Sequence, residues 1–352
     1  MSEIAQPLLD WWDRHGRKDL PWQQSPTAYR VWVSEIMLQQ TQVAAVERYY
    51  DRFMGSFPTV ADLAAADEDT VLHHWSGLGY YSRARNLHKA AGQVMEMHDG
   101  EVPQRLDDLI ALPGIGRSTA GAILALSAEQ RHPILDGNAK RVLARYYAVA
   151  GWSGASANLK QLWLHAEDNT PVERVANYTQ AIMDLGATLC KRSKPACDRC
   201  PLQTGCRARA EGLTGEIPAP KPKKARPRRT AVLLLARHDG AVLLEKRPSN
   251  GIWGGLWSFP EFESDVLATA WVEQKLGAQA PGQQEWQPVE HAFSHFDFVM
   301  TPLEVTLTKP PSKVADDDRW RWVDPQAPDD LGLAAPIARL LADLALADRT
   351  TD

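Results

Sequence analysis

The first 229 residues place apolar side chains at the three- and four-residue spacing of amphipathic helices. The pattern is strongest in AYRVWVSEIMLQQTQVAAVERYYDRFMGSFP, which we predict to be helical from residue 28 until Gly55 and Pro58 end it. The same spacing predicts further helices at 84–97, 104–111, 117–128, 138–150 and 172–187. The N-terminal part of the chain is therefore predicted to be mostly α-helical.

After residue 229 the pattern changes to short apolar runs. RTAVLLLARHDGAVLLEKRP places two such runs around HDG, which predicts a β-hairpin, and a helix is expected near 333–346. Between the two parts, residues 215–230 contain four prolines and six Lys or Arg residues with little to bury, which indicates a stiff basic linker. We predict a helical region followed by an α/β or mainly β domain.

Composition narrows the class of protein. A chain of 352 residues is long enough for two or three domains, and 44% apolar with 24% charged residues is typical of a globular protein. We find no apolar signal segment and no run long enough for a membrane span, so we expect a cytoplasmic protein with reduced thiols. The net charge of −5 is unevenly distributed: residues 1–229 carry 29 basic against 25 acidic side chains, and residues 230–352 carry 10 against 19. An anionic partner would therefore meet the N-terminal part.

All four cysteines fall within 17 positions, in CKRSKPACDRCPLQTGC at Cys190, Cys197, Cys200 and Cys206. Structural zinc sites usually have two close pairs of ligands, and here only Cys197 and Cys200 form such a pair. The spacing therefore favours a [4Fe-4S] cluster. A zinc site or unligated thiols are the alternatives. Disulfides are not expected in a reducing compartment. Basic residues lie between the thiols, which suits contact with a phosphate backbone.

A turn between two predicted helices, LIALPGIGRSTAGAIL, is the first candidate for DNA contact. Gly114 and Gly116 allow a tight turn whose backbone N–H groups, with the following helix N-terminus, can face a phosphate. An ordinary helix–turn–helix corner explains the same pattern.

Two carboxylates are candidates for acid–base chemistry. Glu35 lies on an apolar helix, where burial raises a carboxyl pKa, and we expect Gln39 and Gln42 on its face. A Glu paired with an Arg, or one at the rim of the core, is the alternative. Asp136 in PILDGNAKRVLARYY has the position of a helix N-cap, from which a carboxylate can also stabilise a developing cation.

Taken together, the motifs resemble the helix-hairpin-helix DNA glycosylases that carry an iron–sulfur cluster, and within them the adenine-excising branch. The resemblance covers nearly the whole chain, and it rests on the cysteine spacing and on LPWQ, VSEIMLQQTQV, GLGYYSRARNLH, LPGIGRSTAGAI, LDGNAKRV and FSHF. It implies an iron–sulfur module at 1–27 and 136–212, a six-helix module with the hairpin at 28–135, a linker at 213–229, and a Nudix-like α/β lesion-recognition domain at 230–352.

The resemblance also implies catalytic roles. Glu35 matches the general acid that protonates the extruded adenine, Asp136 matches the carboxylate that stabilises the oxocarbenium-like sugar, and Asn138 matches a residue that positions water. Ser118 stands where the related lyases have a lysine, and a hydroxyl cannot form their Schiff base, so a monofunctional enzyme is implied.

Further roles follow from the same resemblance. The implied DNA contacts are Gln40, Leu78, Tyr80, Gly114, Gly116 and Ser118. Tyr80 and Gln40 match residues that wedge into the duplex around the extruded base, although simple core packing would also explain Tyr80. Trp22 and Gln23 lie where the family lines the base pocket.

The C-terminal part resembles a Nudix domain that has lost its metal-binding helix. A working Nudix enzyme holds Mg²⁺ with clustered glutamates, but AWVEQKLG at 270–277 has Ala270, Trp271, Gln274 and Lys275 at four key places. The domain is therefore expected to bind and not to hydrolyse. The resemblance assigns lesion recognition to Phe293, Ser294 and His295. These three residues could equally be a strand end with a buried Phe.

The expected function is excision of adenine mispaired with 8-oxoguanine or guanine in double-stranded DNA, by a monomeric enzyme. A bifunctional oxidised-pyrimidine glycosylase and lyase of the endonuclease III type, a nucleotide pyrophosphohydrolase fused to a DNA-binding module, and a non-catalytic iron–sulfur DNA-binding protein are the alternatives.

Overall fold

The computed structural model describes residues 2–222, 225–277, 282–307, 319–328 and 330–351. Two compact units are present. The helical unit comprises Met1–Ala65 and Asn86–Lys223, and the mixed unit comprises Ala66–Arg85 and Lys224–Asp352. Residues 223 and 224 of the predicted linker lie outside the described residues.

Helices dominate the chain before residue 211. They are α1 (Ala5–His15), α2 (Ala28–Leu38), α3 (Val43–Ser56), α4 (Val60–Ala65), α5 (Glu68–Trp75), α6 (Ser82–Met97), α7 (Leu106–Ala111), α8 (Arg117–Ala128), α9 (Gly137–Tyr146), α10 (Ser156–Asn169), α11 (Val175–Thr188) and α12 (Arg207–Ala210). Short 3₁₀ turns occur at Pro21–Gln23 and Cys197–Arg199. The boundary between the two units falls within α6.

The predicted helical character is confirmed, but the single helix expected from residue 28 to Gly55 is wrong. Helix α2 ends at Leu38, Gln40 has a left-handed backbone with φ of 58°, and α3 begins at Val43. A left-handed residue cannot continue a right-handed helix, so the apolar spacing on both sides belongs to two helices. Glu35 and Gln42 therefore do not share one helical face.

The core of the helical unit forms where α9 and α11 pack together and α11 packs against α1. Leu8, Leu143 and Leu185 are all buried in this cluster. The close approach of α11 to α9 depends on Gly186, because a Cβ at this position would lie 2.5 Å from the Asn138 Cβ. This packing places the N-terminus of α9 against α11.

The mixed unit contains strands and helices from the C-terminal part of the chain. They are β1 (Arg228–His238), β2 (Ala241–Lys246), β3 (Trp257–Ser258), β4 (Glu261–Phe262), α13 (Asp265–Trp271), β5 (Gln283–Glu285), β6 (Val289–Ala292), β7 (Asp297–Thr306), β8 (Trp320–Val323) and α14 (Ala335–Thr351). These elements confirm the predicted α/β character.

The strands of the mixed unit form one sheet, whose main path runs β3-β2-β1-β7-β5. Strands β1 and β7 pair in parallel over ten positions, and the other strand pairs are antiparallel. The predicted hairpin is confirmed as β1 and β2, which turn at Asp239 and Gly240 with positive φ at both. Helix α13 continues as a π-helical turn, and Ala268, Val272 and Leu276 pack in a cluster with residues of β1, β2 and β7.

Among the described residues, no helix combines the length and the apolar character that crossing a membrane requires.

Replacing Gly186 by Ala tests the packing of α11 on α9. The added methyl group would overlap Asn138, so we expect the free energy of unfolding to fall by about 1–3 kcal/mol, as for other overpacked cores. Urea or thermal unfolding measures the change. Gly92→Ala is the matched control, because no atom lies within 4 Å of its added Cβ, and the substitution should stabilise α6 by up to about 1 kcal/mol. Equal stability changes in the two variants would contradict the close packing.

Candidate active site

A cavity of about 920 Å³ opens in the helical unit between α2, α8, α9 and α11. Among the residues that line it, six are predicted site residues: Trp22, Glu35, Gln40, Ser118, Asp136 and Asn138. The cavity is therefore the place where residues from distant parts of the sequence come together.

Glu35 contributes a carboxyl group that has no counter-charge. Among the described residues, this carboxyl accepts no hydrogen bond and forms no ion pair, so the expected alternative of a Glu paired with an Arg is not observed. Burial, and to a smaller extent the negative charge of Asp136, raises the pKa of this carboxyl to about 8. The group is therefore protonated at neutral pH.

Asp136 is the N-cap of α9 and also lines the cavity. Its two carboxylate oxygens accept hydrogen bonds from the backbone N–H groups of Asn138 at 3.0 Å and Ala139 at 2.7 Å. Asp136 therefore caps a helix, as one of its two interpretations expected, and it also lines the cavity that Glu35 lines. The two N–H donors hold this carboxylate in a fixed orientation at the start of α9.

Arg141 fixes the orientation of Asn138. Its Nη2 donates to the Asn138 Oδ1 at 2.8 Å and to the Gly186 carbonyl at 2.7 Å, and its Nε donates to the Cys190 carbonyl at 2.7 Å. Because a guanidinium only donates hydrogen bonds, the Asn138 Oδ1 must face Arg141. The Asn138 Nδ2, which has no partner among the described residues, is thus the end of the amide that remains for a ligand.

Ser118 lines the same cavity from α8. Its Oγ accepts a hydrogen bond from the backbone N–H of Leu135 at 2.9 Å. Leu135 directly precedes Asp136, so the serine hydroxyl helps to hold the entrance of α9.

The two residues predicted for the base pocket occupy different positions. Trp22 is buried in the wall of the large cavity, with its ring edge-to-face against Tyr50. Gln23 instead lines a smaller cavity of about 210 Å³. Its amide is bonded to the backbone: Nε2 donates to the Arg17 carbonyl and Oε1 accepts from the Leu20 N–H. The structure therefore does not bring Gln23 to the large cavity.

Several further residues of the large cavity were missed by sequence reasoning, among them Arg17, Arg141, Gln180 and Met183. Gln180 and Met183 have the three-residue spacing of one face of α11. Helix α11 also carries other polar residues, among them Asn177, Thr179 and Asp184, so its sequence gives no signal that singles out Gln180.

The hairpin turn precedes α8. Gly114 has a φ of 81° and a Cβ there would lie 2.9 Å from the Asn86 Cβ, so both backbone conformation and space require glycine. Gly116 is the N-cap of α8 with an ordinary φ of −95° and open space around it. Arg117, at the start of α8, pairs with Glu167 and lies 4.1 Å from the centre of the Trp163 ring.

In the mixed unit, a strained loop carries the two remaining predicted DNA contacts. Leu78 is buried, but half of the Tyr80 surface is exposed, so simple core packing does not describe Tyr80. Gly77, Gly79 and Tyr80 all have positive φ, which is uncommon for a tyrosine.

Hydrogen bonds attach this loop to residues near α14. The Tyr81 hydroxyl donates to the Leu333 carbonyl at 2.9 Å and accepts from the Gly77 N–H at 3.4 Å. On the other side of the loop, the Ser76 Oγ accepts from the Leu333 N–H at 3.4 Å. Both backbone groups of Leu333 therefore hold the loop.

The four cysteines lie half-buried in the segment after α11. Burial and then the charges of Cys190, Cys206 and Cys197 raise the pKa of the Cys200 thiol to about 11. The thiols are therefore close enough to interact electrostatically. Within the described part of the chain, no group of three or more His, Cys, Asp or Glu side chains has the arrangement of a metal-ion site.

Arg145 supplies a positive charge directly beside these thiols. It is buried, its Nη1 lies 3.3 Å from the Cys190 Sγ, and its other donors bind the carbonyls of Lys191, Arg192 and Ile217. No carboxylate pairs with Arg145 among the described residues. A buried cation without a carboxylate favours an anionic group nearby, and thiolates that ligate a metal centre have that charge.

The predicted lesion-recognition residues form a turn between β6 and β7. The Phe293 N–H donates to the Phe296 carbonyl at 2.9 Å, and the rings of these two residues stack at 4.6 Å. Ser294 and His295 are exposed at the tip of the turn. Phe293 thus packs in an aromatic cluster with Trp253, while its two neighbours are accessible.

The residues at the degenerate Nudix positions support packing. Trp271 at the end of α13 contacts the rings of Phe262 and Trp320. Ala270, Gln274 and Lys275 provide no carboxylate. The side chains at these four positions therefore lack the carboxylates with which a working Nudix helix holds Mg²⁺.

Two family descriptions match the chain. Residues 33–168 match the HhH-GPD superfamily of base excision DNA repair proteins, and residues 231–343 match the NUDIX domain. A thermostable thymine-DNA glycosylase has a similar structure, with a TM-score of 0.54 and 26% identity over 59% of this chain and 95% of that one. Fold and sequence therefore place the chain in the class of helix-hairpin-helix base excision repair proteins, with a Nudix-like domain attached.

Curated relatives define the family within this class. The adenine DNA glycosylase of Buchnera aphidicola from Acyrthosiphon pisum is 37% identical over 338 residues, which are 96% of each protein. The human adenine DNA glycosylase is 36% identical over 72% of this chain and 56% of the human protein. This chain belongs to the adenine DNA glycosylase family.

Proposed function

We propose that this protein excises adenine from duplex DNA where it lies opposite 8-oxoguanine or guanine, and that it leaves an abasic site. The observation that carries the proposal is that Glu35, whose carboxyl has a raised pKa and no partner among the described residues, lines one cavity with Asp136, the N-cap of α9. One carboxyl that holds a proton and one that is stabilised as the anion are the pair that hydrolysis of a glycosidic bond needs.

Glu35 is the proposed general acid. An extruded adenine in the cavity would receive the carboxyl proton at N7, and the bond between N9 and C1′ would then break with its electron pair on the base. The neutral purine is a better leaving group than its anion. This step requires the acid form of Glu35, which burial favours.

Asp136 and Asn138 are the proposed partners on the sugar side. Loss of the base leaves positive charge on C1′ and the ring oxygen, and a carboxylate held by two backbone N–H groups can stabilise that charge without moving. The Asn138 Nδ2, directed by Arg141, can donate to the oxygen of the attacking water. Addition of that water at C1′ yields the abasic sugar and releases one proton.

Ser118 supports a hydrolytic outcome. The hydroxyl is engaged with the Leu135 N–H, and oxygen cannot form the imine that a lyase forms through an amine. The strand itself should therefore stay intact.

Recognition of the opposite base is assigned to the turn between β6 and β7. Ser294 and His295 are accessible hydrogen-bonding groups beside a stacked phenylalanine pair, which suits contact with a base edge. Tyr80 and Gln40 are proposed to enter the duplex where the adenine leaves, with Leu78 nearby, and the exposed ring of Tyr80 suits stacking. Gly114 and Gly116 are proposed to let the hairpin backbone approach a phosphate.

The four cysteines are proposed to hold a [4Fe-4S] cluster, as the family and the spacing suggest. When bound, the cluster would link thiolates of Cys190, Cys197, Cys200 and Cys206 and fix the segment between them. The buried Arg145 fits the net negative charge of such a centre. Exposed basic side chains on this segment, which include Arg199 and Arg207, would then face the DNA backbone.

Single-turnover excision from a duplex with adenine opposite 8-oxoguanine tests the proposed reaction, with each time point divided between neutral and alkaline work-up. We expect strand breaks only after alkali, because Ser118 cannot form a Schiff base. A duplex with adenine opposite guanine should react more slowly. Strand breaks of equal yield in the neutral samples would show lyase activity and contradict the proposal. The absence of breaks from both the neutral and the alkaline samples would also contradict it.

The pH dependence of the single-turnover rate tests Glu35. The raised pKa keeps the acid form populated up to about pH 8, so the rate should fall about tenfold per pH unit above that value. Glu35→Gln should lower the rate at least about 100-fold and retain duplex binding. Glu47→Gln, on the exposed face of α3, is the matched control. A rate that rises through pH 8 would instead assign Glu35 as a base.

Elemental analysis tests the cofactor. We expect iron and acid-labile sulfide in equal amounts, about four of each per chain. Cys197→Ser should lower both and weaken duplex binding, whereas Ser193→Ala in the same segment should change neither. Zinc without sulfide would overturn the cluster assignment.

A further inference from the structure

Asp184, on α11, is a fully buried carboxylate that is not part of the proposed catalytic pair. Its Oδ1 accepts from the Arg17 Nη2 at 2.6 Å, the Arg17 Nε at 2.9 Å and the Gln180 Nε2 at 2.9 Å. Its Oδ2 accepts from the Arg17 backbone N–H at 2.9 Å and the Trp12 Nε1 at 3.2 Å. Five donors therefore saturate one carboxylate, which forms an ion pair with Arg17.

This arrangement determines which end of the Gln180 amide faces the cavity. An ionised carboxylate only accepts hydrogen bonds, so the Gln180 amide must direct its NH₂ group to Asp184 and its carbonyl away from it. Among the described residues, the Gln180 Oε1 accepts no hydrogen bond. Gln180 lines the large cavity together with Trp22 and Glu35, and it also lines the smaller cavity. The carbonyl is therefore the end of the amide that is left for a bound base.

A carbonyl at this place distinguishes purines by the group at position 6. Adenine has an amino group there, which can donate to Oε1. Hypoxanthine and guanine have a carbonyl, which would face Oε1 with two acceptors and no proton between them. A site built for one hydrogen-bond pattern rejects the opposite pattern because the buried group is left unpaired.

We propose that Asp184 is a positioning residue that sets the base specificity of the cavity: it orients the Gln180 carbonyl and so favours a 6-amino over a 6-oxo purine. The inference rests on the proposed function, that this cavity takes the extruded adenine. It extends that function to a carboxylate that itself touches no base. A purely structural role, in which Asp184 only anchors Arg17 and Trp12 to α11, is the alternative.

Single-turnover rates on three duplexes separate the two roles. The duplexes carry adenine, hypoxanthine or unsubstituted purine opposite 8-oxoguanine. In Asp184→Asn, only one acceptor atom remains for five donors, so the Gln180 amide is no longer held in one orientation. The ratio of the adenine rate to the hypoxanthine rate should fall about tenfold, as expected for one lost hydrogen bond, and the adenine-to-purine ratio should fall with it. A uniform loss on all three substrates would overturn the proposal.

Trp12→Phe is the matched control. It removes a donor from the Oδ2 atom of Asp184 and leaves the bond from Gln180 to Oδ1 in place. Trp12 lines only the smaller of the two cavities described here. The base ratios should therefore stay at the value of the parent protein, even if stability falls. A change in ratio equal to that of Asp184→Asn would overturn the proposal.

Gln180→Met keeps the test decisive if Asp184→Asn does not fold. Without the amide, the adenine-to-hypoxanthine ratio should fall to the value of Asp184→Asn, and combining the two substitutions should lower it no further. An unchanged ratio in Gln180→Met would overturn the inference. If the parent protein excises adenine but the ratios do not respond, only this inference fails. Absence of excision from all three duplexes by the parent protein overturns the proposed function as well.

Discussion

A half-buried carboxyl group with no counter-charge among the described residues is the constraint that the cavity of the helical unit must meet. An ionised Glu35 would be costly in its position, so the group retains its proton instead. Two of the arginines that line the cavity are held by other groups. Arg17 is bound by Asp184, and Arg141 is bound by Asn138 and by backbone carbonyls. The ion pair and the capping bonds therefore preserve the acid as much as they stabilise the fold.

The same two arginines lie in networks that fix amide side chains of the cavity wall. Asn138 meets a guanidinium, which can only donate, and Gln180 meets a carboxylate, which can only accept. One amide is therefore left with a free N–H and the other with a free carbonyl. Asn138 thus offers a hydrogen-bond donor to the proposed water, and Gln180 offers an acceptor to the proposed base. The two amides differ in this way because the neighbours that bind them differ.

Sequence reasoning identified the features that local motifs encode. The helical and α/β characters follow from the spacing of apolar residues within short segments. Glu35, Asp136 and Ser118 also lie in short segments, whose residue types limit the reactions that these side chains can support. The break after Leu38 was not predicted, because the apolar spacing continues through the turn that Gln40 creates with its positive φ. The role of Asp184 could not be predicted either, since its partner Arg17 lies 167 residues away and such a contact leaves no local pattern.

The mixed unit shows a second limit of the linear sequence. Residues 66–85 lie within the stretch that matches the glycosylase superfamily, yet they form one compact unit with the Nudix-like domain. The loop that exposes Tyr80 has a backbone conformation that a tyrosine adopts only at a cost. Ser76 and Tyr81 hold both ends of that loop to the backbone of Leu333. The conformation of the loop therefore depends on the C-terminal domain as well as on its own glycines. Through these hydrogen bonds, the domain proposed to recognise the opposite base is connected directly to the loop of Tyr80, the residue proposed to enter the duplex.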